Sequence, residues 1–129
     1  FLLGSSLVQV LAQRLVRLVC PHCKTFYSPD EKEIAYFEKA GIEVKELSKG
    51  EGCSICKGSG YSGRTAIFEV LTIDRDIRAL IREDISSHDI KELAIKKGMK
   101  TLKISGLMKA ARGETTLEEV LRVTETVET

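Results

Sequence analysis

The amino-acid sequence predicts a mainly α-helical fold with a short β segment, in which a zinc-binding insertion precedes a small helical bundle. Two CxxC pairs bound the insertion, at residues 20–23 and 53–56. Apolar residues recur at helical spacing before and after it, and residues 65–71 are rich in β-branched and aromatic side chains. These three observations define the predicted fold class.

The first element is predicted to be an amphipathic helix over residues 6–19. Ser6 and Gln9 fit a capping box at its start, and Arg14 and Arg17 lie opposite the apolar side chains. The apolar positions are Leu7, Val8, Leu11, Ala12, Leu15, Leu18 and Val19. The first CxxC pair would follow the C-terminal end of this helix.

A short second helix is predicted to begin after Ser28 and to end at Gly41. Ser28 would cap it, Pro29 would occupy its first turn, and Glu31 would close a capping box. Residues 42–52 are predicted to be irregular, apart from a brief strand over residues 42–44.

Glycines dominate the segment after the second CxxC pair and indicate a tight turn there. These are Gly58, Gly60 and Gly63. The turn leads into a strand predicted over residues 65–71.

Four helices are predicted after this strand, each bounded by a polar cap or a glycine. They cover residues 75–84, the segment from Ser86 to Gly98, residues 101–112, and the segment from Thr115 or Thr116 onward. Their inward positions are predicted to be Ile77, Leu80, Ile81, Ile90, Leu93, Ala94, Leu107, Met108, Ala111, Leu117, Val120 and Leu121.

The candidate metal ligands are Cys20, Cys23, Cys53 and Cys56. Two residues between paired thiols let both sulfurs reach one ion, and two such pairs supply the four ligands of a tetrahedral zinc site. A four-sulfur site has no open position for water or substrate, so the Zn²⁺ is expected to be structural. His22 is expected to face solvent because the thiolates already saturate the ion.

Other uses of the cysteines are a pair of disulfides, a redox dithiol and a chaperone-type zinc repeat. Disulfides need an oxidising compartment. A redox dithiol needs its first thiol at a helix N-terminus, whereas the first pair is predicted at the opposite end of a helix. Residues 53–60 fit one CxxCxGxG repeat of J-domain chaperones, but the first pair lacks the glycines.

Composition excludes some classes of protein. Lys and Arg number 20 against 19 Asp and Glu, interspersed along the chain, so a nucleic-acid-binding zinc ribbon is not expected. No run of about 20 uncharged apolar residues predicts a membrane span. The chain opens within an apolar run without Met or a basic leader. We therefore expect a piece of a longer polypeptide without a signal peptide. Reduced thiols used as metal ligands indicate the cytoplasm.

Several segments resemble the C-terminal domain of the secretion ATPases, the family of general secretion pathway protein E and the type IV pilus assembly ATPases. Each CxxC pair with its adjoining residues is called a knuckle. Residues 12–24 (AQRLVRLVCPHCK) resemble the first knuckle of that family, and residues 52–71 resemble its second knuckle and GYxGR turn. Residues 94–102 and 113–124 extend the resemblance over essentially the whole chain. Ala66 departs from it, because the family often has Gly there.

The resemblance implies a part of a RecA-like α/β ATPase that forms cytoplasmic hexamers, binds ATP with Mg²⁺ and drives inner-membrane platform proteins. The family would thus lie peripheral to the inner membrane, through those partners. The segment GETTLEEVLRVT slightly favours type II secretion over pilus assembly. The chain has no GxxxxGK[ST] loop, so no ATP hydrolysis is expected from it alone. A stand-alone zinc module for protein interaction is the competing hypothesis.

The resemblance also implies a division of the chain. Residues 1–19 would belong to the ATPase core, residues 20–60 to the tetracysteine insertion, and residues 61–129 to a strand with a C-terminal helical subdomain. Arg64 would lie near bound nucleotide, and the alternative is a local ion pair with Glu69 or a hydrogen bond to a local carbonyl. For Arg14 and Arg17, contact with a neighbouring subunit and exposure to solvent both remain open.

Overall fold

The computed structural model describes residues 9–125, and within them the chain forms four strands and five helices. The strands are β1 (Gln9–Val19), β2 (Lys24–Tyr27), β3 (Leu47–Gly50) and β4 (Tyr61–Thr72). The helices are α1 (Glu31–Lys39), α2 (Arg75–Arg82), α3 (Ser87–Lys96), α4 (Leu102–Ala111) and α5 (Leu117–Thr124). Strand β1 pairs with β4, and β2 pairs with β3. The predicted combination of several helices with a smaller β part is therefore confirmed.

The chain divides into two compact units, which are described separately. In the described residues, one unit comprises residues 9–13 and 68–101. Its core is formed by Ile73, Ile77 and Ala94, which are almost fully buried. The helices α2 and α3 begin where the sequence predicts: Asp74 accepts a hydrogen bond from the amide of Ile77, and Ser86 accepts one from the amide of Asp89.

The other unit comprises residues 14–67 and 102–125 and contains all four cysteines. Its core joins α1 and β3 to the last two helices. The buried members are Phe37, Leu47, Leu107, Ala110, Leu117 and Val120. Burial of apolar side chains such as these stabilises the unit by about 25 cal/mol per Å² of apolar surface removed from water.

The predicted helix over residues 6–19 is wrong, because residues 9–19 form strand β1. Residues 6–8, including the proposed cap Ser6, lie outside the described residues. The apolar positions share a helical spacing, but the strand is decided by pairing with β4, some 50 residues away in sequence. Val16 and Val19 are buried, whereas Leu11 and Leu15 are about half exposed.

Helix α1 begins two residues later than predicted. Asp30, not Ser28, caps it: the Asp30 carboxylate accepts from the amide of Glu33 at 2.8 Å, and Glu33 accepts from the amide of Asp30 at 3.1 Å. This reciprocal pair satisfies two amides that would otherwise be unpaired. The predicted end at Gly41 is confirmed, since the helix is capped at Ala40 and Gly41 has φ +74°.

Residues 42–52 are more regular than predicted. The strand lies at Leu47–Gly50 rather than at residues 42–44, and it pairs with β2 in antiparallel register, with Lys24 opposite Gly50 and Tyr27 opposite Leu47. The predicted strand over residues 65–71 is confirmed as part of the longer β4. Among the described helices, none combines the length and apolar character needed to cross a bilayer.

Candidate metal centre

The antiparallel pairing of β2 with β3 brings the two CxxC pairs together, although helix α1 lies between these strands in sequence. The first pair lies between β1 and β2, and the second begins shortly after β3, at Cys53. Because Lys24 pairs with Gly50, the residues just beyond these strand ends, Cys23 and Glu51, are adjacent, and the amide of Glu51 donates to the carbonyl of Cys23 at 3.1 Å. Strand pairing therefore places the second pair beside the first.

The four sulfur atoms lie within 4.8 Å of one another. The Sγ–Sγ distances are 3.8 Å for Cys20 to Cys53, 3.8 Å for Cys23 to Cys56, and 3.6 Å for Cys53 to Cys56. With Zn–S bonds of about 2.3 Å, the ligands of a tetrahedral zinc ion lie about 3.8 Å apart. The cluster thus has the size that such an ion requires, and these four residues could hold a metal.

Backbone amides point at two of the sulfurs. The amide of Gly52 donates to Cys23 Sγ at 3.3 Å, and the amides of Cys53 and Gly60 each donate to Cys56 Sγ at 3.2 Å. Such donors stabilise negative charge on sulfur, so they favour the thiolate that a metal ion needs. The donor set therefore fits a cation better than it fits neutral thiols.

The thiols influence one another's ionisation. Burial raises the pKa of Cys56, but the amides of Cys53 and Gly60 and the neighbouring thiols outweigh it and lower that pKa to about 6. Burial and the neighbouring thiols raise the pKa of Cys23 to about 12, against the lowering effect of the Gly52 amide. The thiols therefore differ in how readily they ionise, and a cation among them would favour the thiolate form of each.

Glycine is required where the segment after the second knuckle passes close to the end of β3. A Cβ atom on Gly50 would lie 2.1 Å from the carbonyl oxygen of Gly60, and one on Gly60 would lie 2.5 Å from the carbonyl oxygen of Gly50. Gly60 also has φ +81°, a conformation that L side chains rarely adopt. The predicted tight turn is confirmed, since Gly58 and Gly63 have positive φ as well.

The geometry does not support the disulfide or the redox use of the cysteines. All four are free, with sulfur separations far above the disulfide bond length of about 2.05 Å. Because β1 is a strand, the first CxxC pair does not follow the C-terminal end of a helix, and the predicted helix dipole is absent there. The grouping of both pairs into one cluster is what disfavours a redox dithiol. His22 is exposed and is not a member of the cluster.

The structure leaves Arg64 exposed on β4. Its side chain makes no hydrogen bond or ion pair with any of residues 9–125. The predicted alternative, a pair with Glu69, is not seen, because Glu69 pairs with Lys91 at 3.6 Å.

A buried carboxylate that the sequence did not reveal lies in the same unit as the cysteines. The side chain of Glu119 is 1% exposed and accepts from the backbone amide of Arg17 at 2.8 Å. The guanidinium groups of Arg17 and Arg122 each donate two hydrogen bonds to it, at 2.8 to 3.1 Å. Arg17 therefore has an internal partner, and its guanidinium also lies 4.2 Å from the centre of the Tyr61 ring.

Comparison with known proteins identifies the class. The model of the family described as "Type II/IV secretion system protein" matches residues 1–122. The chain belongs to this family, as the sequence resemblance predicted.

Its relatives include ATPases of both secretion and pilus systems. The chain is 49% identical over 123 residues to the type IV pilus assembly ATPase PilB of Thermus thermophilus, covering 94% of this chain and 14% of the relative. It is 42% identical to the type II secretion system protein E of Pseudomonas aeruginosa and 40% identical to the type II secretion system ATPase E of Vibrio cholerae. Each of these matches covers 96% of this chain and 24% of the relative. The chain thus spans a quarter or less of the length of these relatives.

Proposed function

We propose that this chain is the zinc-binding part of a hexameric cytoplasmic ATPase that powers type II protein secretion, and that its zinc is structural. The observation that carries the proposal is the four-sulfur cluster of zinc dimensions in a chain of the secretion family. Four sulfurs leave no coordination position for water. The ion would therefore hold the two knuckles together, and its binding energy would add to the folding energy of residues 20–60.

ATP and Mg²⁺ would be bound mainly by other parts of the ATPase, since the 129 residues contain no phosphate-binding loop. The energy of hydrolysis would be delivered to inner-membrane platform proteins. The ATPase role is supported by the names of the relatives, which include a type II secretion system ATPase. The platform partners rest on the sequence resemblance alone. A phosphate-binding loop encoded upstream of Phe1 in the same gene would distinguish this proposal from a stand-alone zinc module.

Type IV pilus assembly is the second candidate function. It is favoured by the 49% identity to a pilus assembly ATPase, against 42% and 40% to the type II proteins. Disruption of the gene separates the two candidates. Loss of exported protein with intact pili supports type II secretion, and loss of pili with normal export supports pilus assembly.

The zinc proposal is tested by elemental analysis of the purified chain. We expect one zinc per chain, and we expect Cys53→Ser to reduce that content at least fivefold because a three-sulfur site binds the ion less tightly. His22→Ala is the matched control, since His22 lies inside a knuckle but outside the cluster. Full metal content in Cys53→Ser, or iron in place of zinc in protein from zinc-supplied cells, would contradict the proposal.

We further propose that Arg64 contacts nucleotide phosphate in the assembled ATPase. An exposed guanidinium without a partner among residues 9–125 is available for a bidentate contact with phosphate. Arg64→Gln in the ATPase should lower kcat/KM for ATP at least tenfold, with unchanged zinc content and Tm. Arg75→Gln, another exposed arginine, is the control. A lower Tm with unchanged kinetics would assign Arg64 a structural role.

A further inference from the structure

Gly60 connects the candidate metal centre to the rest of its unit. Its amide donates to Cys56 Sγ at 3.2 Å, and its carbonyl accepts from the amide of Cys20 at 2.9 Å. It therefore contacts both knuckles. Its backbone also lies so close to Gly50 that neither residue has room for a side chain. The position of Gly60 is consequently determined by the arrangement of the cysteines.

Tyr61 is the next residue, and both ends of its side chain are held. The ring lies against the guanidinium of Arg17, 4.2 Å from ring centre to Cζ. The hydroxyl forms a 2.7 Å hydrogen bond with Thr116 Oγ1. A displacement of Gly60 would move this side chain, because the two residues are covalently joined.

Thr116 is the capping residue of α5. Its Oγ1 accepts from the amide of Glu119 at 3.0 Å, so the Tyr61 hydroxyl binds the atom that caps the helix. The Glu119 carboxylate in turn accepts from Arg17 Nε at 3.0 Å. Tyr61 thus contacts the cap of α5 through its hydroxyl and the Arg17–Glu119 pair through its ring.

We propose that Tyr61 is a positioning residue that transmits metal occupancy from the four-cysteine centre to the N-terminus of α5 and to the start of β4. The geometry that carries this inference is the continuous path of contacts from Cys56 through Gly60 and Tyr61 to Thr116. Arg64 lies three residues further along β4. The inference rests on the proposed zinc site but does not require that Arg64 bind nucleotide.

The path is tested by amide hydrogen exchange of the zinc-loaded chain and of the chain stripped by EDTA, followed by NMR. The first reporter is the backbone amide of Glu119, which donates a hydrogen bond to Thr116 Oγ1. The second is Arg17 Nε–H, whose chemical shift reports the stacking of the guanidinium on the Tyr61 ring. Zinc removal should accelerate exchange at both reporters at least tenfold and move the Arg17 Nε–H resonance towards its solvent-exposed position.

Tyr61→Phe removes the hydroxyl and keeps the ring. In this variant the Glu119 amide should already exchange fast with zinc bound, and zinc removal should accelerate it by less than threefold. Tyr27→Phe is the matched control, because it removes another hydrogen-bonded hydroxyl, which donates to Glu33 at 2.6 Å and lies outside the path. Tyr27→Phe should respond to zinc removal as the unchanged chain does.

The outcomes separate this inference from the zinc proposal. A chain that takes up no zinc contradicts the zinc site itself. If the chain takes up zinc but the exchange rates of the Glu119 amide and Arg17 Nε–H change by less than twofold when zinc is removed, the path is wrong while the zinc site stands. An unchanged zinc response in Tyr61→Phe shows that the coupling runs elsewhere, for example through the core shared with Phe37 and Leu47, and also overturns the role of Tyr61.

Discussion

At the scale of single residues, Glu119 shows how a buried charge is accommodated. Burial raises the pKa of Glu119, but hydrogen bonds from Arg122 and Arg17 outweigh this and lower the pKa from 4.5 to about 2. Both guanidiniums remain about half exposed, so water solvates their outer edges while the carboxylate is satisfied internally. The cluster ties β1 to α5, elements that are about 100 residues apart in sequence.

The lowered pKa of Glu119 predicts how stability depends on pH. The stabilisation is fully present above pH 4.5 and is lost as the pH falls towards 2, because the folded state must then bind a proton that it disfavours. Glu119→Gln should lower the free energy of unfolding at pH 7 by up to about 3 kcal/mol. Urea unfolding at pH 7 and at pH 3 measures this.

Any metal held by the cysteines would be lost from both proteins at low pH, so the difference between their two stability curves isolates Glu119. That difference in the free energy of unfolding should shrink between pH 4.5 and pH 2, because protonation of Glu119 removes its stabilising effect in the unchanged chain. Glu118→Gln, at the exposed neighbouring position of α5, should change stability by less than about 0.5 kcal/mol. A constant difference over this pH range would contradict the assignment of the pKa to Glu119.

At the scale of elements, α4 and α5 approach closely at a glycine. A Cβ atom on Gly106 would lie 2.6 Å from Val120 Cγ1, closer than two carbon atoms can pack. Gly106 and Val120 are both buried, and each lies on the inward face of its helix. Glycine is unfavourable within a helix by about 1 kcal/mol relative to alanine, so close packing must outweigh that cost here.

Gly106→Ala therefore tests packing against helix propensity. An open site would gain about 1 kcal/mol from the substitution, whereas overpacking a buried site costs about 1–3 kcal/mol. We expect net destabilisation, seen as a lower midpoint of thermal or urea unfolding. The double variant Gly106→Ala/Val120→Ala should lose less free energy of unfolding than the sum of the losses in the two single variants. A more stable Gly106→Ala protein would show that the helices can separate without cost.

At the scale of the whole molecule, the metal lobe, meaning residues 20–60, depends more on the later helices for its packing than its sequence suggests. The sequence predicts that losing the metal unfolds the insertion and spares all later helices. In the structure, however, Phe37 and Leu47 of the lobe share one core with Leu107, Leu117 and Val120 of α4 and α5. The helices α2 and α3 belong to the other compact unit and have their own core.

Cys53→Ser should consequently affect the two units differently. Amide exchange should rise most in residues 20–27 and 47–60, and to a smaller extent in α4 and α5, because the shared core persists without the ion. Exchange in α2 and α3 should stay within twofold of the unchanged chain. Ser54→Ala, inside the same knuckle, is the control. Equal acceleration in α2 and α3 would contradict the separation of the two units.

Local signals in the sequence correctly predicted much of the structure. Asp74 lies just before α2, Ser86 and Thr116 cap α3 and α5, and glycines mark the turn after the second knuckle. The cysteine spacing predicted which thiols would meet, because two CxxC pairs have few alternatives to a shared ion. The chain division at residues 20 and 60 stays a prediction, as does the role of Arg64.

Other features depend on partners distant in sequence. Residues 9–19 have helical periodicity but form a strand because β4 pairs with them. Glu119 sits where a capping-box glutamate is expected, yet its carboxylate binds Arg17 and Arg122 instead of its own helix end.

The sequence by itself determined the family, the four cysteines that cluster and most helix starts, because each depends on residues a few positions apart. The tertiary structure decided the strand β1, the burial of Glu119 and the core shared by the metal lobe with α4 and α5. The physical reason is that strand pairing, charge burial and core packing are gained only when distant segments meet, so no short stretch of residues records them.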